Sequence, residues 1–126
     1  MGFVTSTIRI DRGRLKKIEQ AQIKALELTA EALHTEIVQA QVIPRDTGHL
    51  QNESTFVDSS HSHSGTCSIV SSTPYARRLY YHPEYHFDKT ENTNARGKWF
   101  EPWISGEYKE FAKRAYKEFY RRETGV

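Results

Sequence analysis

One cysteine, Cys67, occurs in 126 residues, which excludes an intrachain disulfide and a cysteine-built zinc site. No run of about 18 apolar residues exists, so no membrane-spanning helix is expected. Residues 1–10 lack the continuous apolar stretch that a secretory signal requires, and a soluble protein made in a reducing cytoplasm is the expectation. Catalytic frames are missing as well: no nucleophile elbow, no phosphate-cradling glycine-rich loop and no distinctive pair of carboxylates. The sequence therefore predicts neither an enzyme nor a cofactor. His61 and His63 form an H-x-H pair that a third ligand would turn into a zinc site. They lie in a serine-rich stretch with no obvious supporting carboxylate, however, so a solvated loop is expected there and no metal.

Aliphatic residues are also scarce. Hydrophobic residues make up 37% of the chain while aromatics reach 12%, so Phe, Tyr and Trp must supply much of the burial. The length suits one domain with a modest core. A net charge of +2 is too small to demand a nucleic-acid partner, but the charge is unevenly placed. Arg9, Arg12, Arg14, Lys16, Lys17 and Lys24 outnumber Asp11 and Glu19 in the first stretch. Glu27, Glu31, Glu36, Asp46, Glu53 and Asp58 then face only Arg45, and the tail after Lys109 is basic again. A chain so divided can stack on copies of itself with opposite charges facing, or meet a polyanion.

Residues 1–10 read as a short strand or an arm. Asp11 is a plausible N-cap for a long helix reaching about Val42, with Ile18, Ala25, Leu26, Thr29, Leu33, Ile37 and Ala40 as its apolar stripe. About thirty helical residues span about 45 Å, more than a globule of this size needs, so part of the helix should project or pack on a neighbouring subunit. Pro44, Asp46, Thr47 and Gly48 then read as a tight structural turn, with proline fixing φ and glycine supplying a positive one. Leu50–Asp58 and Thr66–Ser72 read as two weakly apolar strands around an exposed loop. They suit a small sheet covered on one face or completed by a partner.

Thr73-Pro74-Tyr75-Ala76-Arg77-Arg78-Leu79-Tyr80-Tyr81-His82-Pro83 is the densest stretch. Thr73 and Pro74 are helix-start residues, and Pro83 should stop the helix near Tyr81. Three tyrosines and two arginines cannot all point inward, and these types anchor protein contacts. Arg77, Arg78, Tyr80 and Tyr81, with Tyr85 and Phe87 just beyond, are the candidate interface. Residues 84–98 read as a flexible loop, unstructured over Asn92–Gly97 and longer than the usual connection. Trp99, Phe100 and Trp103 restart order. The last helix, about Pro102 to Arg122 with a potential interruption at Gly106, carries Tyr108, Phe111, Ala112, Ala115 and Phe119 on one face. The expected fold is thus a single α+β domain, with long N-terminal and C-terminal helices packed on a small antiparallel sheet.

The turn Ile43-Pro44-Arg45-Asp46-Thr47-Gly48-His49-Leu50, the Thr73–Pro83 stretch and Asn94-Ala95-Arg96-Gly97-Lys98-Trp99-Phe100-Glu101-Pro102-Trp103, in that order after a long helix, resemble the minor capsid proteins of tailed bacteriophages. The resemblance runs from about residue 11 to the end. It implies a structural component of the virion, assembled in the bacterial host cytoplasm: a neck or tail-completion protein joining head to tail. Its implied partners are copies of itself in a ring, sixfold where such rings meet the tail, and portal, head-closure or tail-terminator proteins. DNA passing through the lumen would meet basic residues without being read. The loop Ser59–Ser64 matches no motif of that family. Read without the resemblance, Arg77, Arg78 and the basic tail leave open a small nucleic-acid-binding module, although Glu107, Glu110, Glu118 and Glu123 interleave that tail.

Overall fold

The computed structural model describes residues 12–44, 55–72, 76–87, 89 and 92–125. The arm or strand expected over 1–10 and the turn residues Asp46, Thr47 and Gly48 lie outside them, as do Thr73 and Pro74. The architecture is α+β, with helices packed against a two-stranded antiparallel sheet. Helix α1 spans Arg12–Gln39 and α4 spans Phe111–Thr124, and the two pack along each other. Strands β1 (Thr55–Asp58) and β2 (Ser68–Ser71) lie against α1. Between β2 and α4 come two short helices, α2 (Ala76–Tyr80) and α3 (Glu101–Ile104).

Helix α1 has 28 residues and so extends about 42 Å. Ala21, Ala25, Thr29, Ala30 and Ile37 form its buried stripe, and small residues there let α4 and the sheet approach closely. Residues 16–20 are exposed on every side, Ile18 included, so this end projects as the helix length suggested. Its other end differs from expectation. The helix stops at Gln39, because Gln41 takes a left-handed conformation (φ 58°) that ends α-helical hydrogen bonding. Val42 and Ile43 are buried as irregular chain, and Pro44 is buried beside them.

The sheet register pairs Thr55 with Ser71, Phe56 with Val70 and Val57 with Ile69. Alternation then gives Thr55, Val57, Ile69 and Ser71 one face. It is the inner one, with Thr55 buried and Ile69 packed on the core. Phe56 stands on the other face at 42% exposure. The connecting loop is more ordered than a solvated serine run. Asp58 accepts from the Ser60 amide at 2.9 Å, a short 3₁₀ turn covers Ser62–Ser64, and Gly65 closes it at φ 88°. Ser62 is buried, with the turn touching α1, whereas His61 and His63 are exposed. Among the described residues no three His, Cys, Asp or Glu side chains converge on a metal-sized point, and no helix is long and apolar enough to cross a membrane.

The core gathers Ile37, Val42, Ile43, Ala76, Trp99 and Trp103. Trp99 is fully buried, yet among the described residues neither its indole N–H nor that of Trp103 meets an acceptor. The last expected helix is two. Gly106 turns back so closely on Pro102 that a Cβ there would lie 2.7 Å from the proline Cα. Residues 105–110 thereby separate α3 from α4, and Tyr108 belongs to the turn, where its amide donates to the Pro102 carbonyl at 2.8 Å. On α4 the half-buried Phe111, Ala112, Ala115 and Phe119 keep the predicted spacing.

A candidate protein-docking shelf

The Asn92–Lys98 stretch, expected to be unstructured, is a strap that seats α2 on the core. Its groups take up the carbonyls of the chain leaving α1. The Asn92 side chain donates to Ile43 at 2.7 Å and that of Asn94 to Ala40 at 3.0 Å. The Asn94 and Arg96 amides donate to Gln41 and Val42 at 3.1 and 2.9 Å. Each buried carbonyl satisfied in this way avoids a desolvation cost of about 1–3 kcal/mol. At the far end the Lys98 amide donates to the Tyr80 carbonyl at 2.8 Å. That bond ties the strap to the C-terminus of α2.

Helix α2 is consequently held by one side. Ala76 is buried, and Leu79 and Tyr80 pack against the core. The Tyr80 ring meets Trp99 edge-on at 4.8 Å and Phe100 at 5.8 Å. Burial raises the Tyr80 phenol above its ordinary pKa, with Tyr81 and Glu101 adding to the shift, so its hydroxyl is neutral at physiological pH. Tyr81 stands against Tyr80 at 5.1 Å but is itself 62% exposed. Arg77 and Arg78 are both exposed. Half of this helix therefore belongs to the core and half to the surface.

Pro83 shapes the turn at the end of α2. The Tyr81 and His82 amides still reach back to Arg77 and Leu79, and then the Tyr85 amide donates to His82 at 3.1 Å. This turn stacks the His82 and Tyr85 rings at 4.7 Å with planes 8° apart. The Glu84 carboxylate meets His82 Nδ1 at 2.8 Å, and that hydrogen bond holds its pKa below the ordinary glutamate value. The Arg78 guanidinium lies 6.0 Å from the Tyr85 ring centroid, and its Nε–H reaches the phenol oxygen at 3.5 Å. Arg78 and Tyr85 are thus neighbours on the surface. Phe87 is half-buried and contributes no ring contact to the group.

Two open clefts adjoin on this surface. One, of about 430 Å³, has Ser71, Ser72 and Arg77 on its rim and Tyr80, Trp99 and Phe100 among its lining. The other, of about 460 Å³, lies between Arg77, Arg78, Tyr81 and His82. Sequence reasoning singled out Arg77, Arg78, Tyr80, Tyr81 and Tyr85, which the fold places on α2 and just after it, with Tyr80 against the core. It missed the floor of Trp99 and Phe100 and the His82–Glu84 buttress. His82-Pro83-Glu84 did carry a local signal, a proline turn bringing residues two and three apart into reach. Pro44 lies at the α1 exit beside the strap and not on the shelf. Comparison with known proteins finds no family model, curated protein or solved structure that matches the chain.

Proposed function

We propose that this chain is a non-enzymatic structural component of a tailed-phage virion, a minor capsid protein of the neck that joins head to tail as one subunit of a ring. The observation that carries the reading is the shelf on α2. Two exposed arginines and an exposed tyrosine stand beside buried Trp99 and half-buried Tyr80 and Phe100, with no carboxylate bonded to either guanidinium among the described residues. Arginine and tyrosine are the types that anchor contacts with a protein partner. The exposed end of α1 and the Phe56 side of the sheet add surface that a neighbouring subunit can cover. The three sequence motifs that come after the long helix supply the phage context.

Deleting the gene from a lysogen that carries it tests the proposal. Induction is expected to yield heads and tails that remain unjoined in electron micrographs and that join again on complementation. Normal joined particles from the deletion strain contradict it.

A second reading, a basic nucleic-acid-binding module, is favoured by the same Arg77, Arg78 and Tyr81 surface, since cations beside open rings suit phosphates and bases. The C-terminal helix speaks against it, because Arg122 there is paired with Glu118 at 3.4 Å. Duplex binding measured across a salt series separates the two. Submicromolar affinity that falls steeply with salt supports the module, and weak binding supports the ring.

A further inference from the structure

Building on the proposed ring, we infer that the α2 shelf docks on the middle of helix α1 of a second copy of this chain, Arg77 and Arg78 meeting Glu27 and Glu31. The two surfaces are opposite in charge and lie on the same molecule, the shelf exposed and the α1 patch exposed at Glu31 and half-buried at Glu27. Glu27 and Glu31 are four residues apart on α1 and so share a face. Glu31 is exposed and Glu27 half-buried, and neither carboxylate has a cation partner among the described residues. Leu28 lies between them along the chain, half-buried and outside the core cluster, an apolar spot suited to the open ring of Tyr81. On the shelf, Arg77 and Tyr81 are also four residues apart, while Arg78 is held toward Tyr85. Each side therefore offers two like charges next to one apolar group, with opposite sign. Lys16, Lys17 and Lys24 make the N-terminal half of α1 basic, so the cationic shelf is steered to the Glu27–Glu31 turn instead of that half. The two surfaces are different patches of one chain, and such contacts propagate head to tail and close into rings when the rotation permits.

A charge exchange tests the contact with the full chain, freed of nucleic acid, by sedimentation velocity. One variant carries Arg77→Glu and Arg78→Glu, the other Glu27→Lys and Glu31→Lys, and circular dichroism checks that each is folded. Wild type is expected to self-associate, less so as salt is raised. Each variant alone is expected to associate about a hundredfold more weakly, because like charges then face each other. The equimolar mixture is expected to regain the wild-type assembly, since both of its junctions again pair opposite charges. Variants that each assemble like wild type overturn the contact while leaving the ring proposal standing, and folded variants whose mixture stays dissociated do the same. Assembly that stops at a dimer and responds to the exchange supports the contact and contradicts the ring. Wild type that stays monomeric at every attainable concentration overturns both.

Discussion

Trp99 is fully buried, and Tyr80, Phe100 and the strap are arranged around it. Replacing it with alanine removes the floor under α2, and large-to-small core changes of this kind cost about 3–5 kcal/mol. Urea unfolding of Trp99→Ala is expected to show a loss of that size, and a loss within error of zero contradicts this packing. With Asn92→Ala the Ile43 carbonyl loses the buried donor at 2.7 Å, a penalty of about 1–3 kcal/mol. Its melting temperature is expected to fall by a few degrees. Glu84 gives a pH dependence whose sign is fixed. Its folded pKa is depressed by the His82 hydrogen bond, so the stabilisation is fully present above the ordinary glutamate pKa and is lost as the pH falls through the depressed value. NMR titration of the Glu84 carboxyl is expected to give a midpoint below that of Glu84 in an unfolded peptide, and His82→Ala should move it back up. An unchanged midpoint in His82→Ala contradicts the pairing.

At the scale of elements, α1, the hairpin and α4 were legible because each rests on local signals: apolar spacing for the helices, and two short runs around a serine-rich loop for the strands. The strap was not. Asn92-Thr93-Asn94-Ala95-Arg96-Gly97 has no periodicity, and its order comes from hydrogen bonds to residues about fifty positions earlier, which no local pattern encodes. Gly97 marks how tightly it fits, since a Cβ there would lie 2.6 Å from the Pro83 Cα. Gly97→Ala is therefore expected to push the strap off the Pro83 turn and weaken the Lys98–Tyr80 bond, at a cost of about 1–3 kcal/mol typical of overpacking. Faster amide exchange at Lys98 and a lower melting temperature would report it, and a variant as stable as wild type contradicts the close approach. The division between α3 and α4 was half legible. Gly106 signalled an interruption, but the return of the chain onto Pro102 depends on packing. The candidate site divides in the same way. Arg77, Arg78, Tyr80 and Tyr81 were readable together because one short helix and its end carry them, whereas Trp99 and Phe100 arrive from eighteen or more residues later in the chain.

For the whole molecule, a small aromatic core sits under a surface of separated charge. In the proposed ring, the positive shelf, the acidic mid-helix and the exposed helix end are the surfaces that other copies would cover. Phe56, opposite Val70 on the outer sheet face, adds apolar surface to be covered. Arg78 tests this most directly, because it is exposed and bonded only to Tyr85 among the described residues. Arg78→Glu should leave the subunit folded and yet unable to join a particle. The decisive measurement is quantitative mass spectrometry of purified virions from matched wild-type and Arg78→Glu strains. The wild-type polypeptide is expected at a fixed copy number per particle and the variant at a small fraction of it. Virions without the wild-type chain, or with the variant at wild-type occupancy, contradict the account.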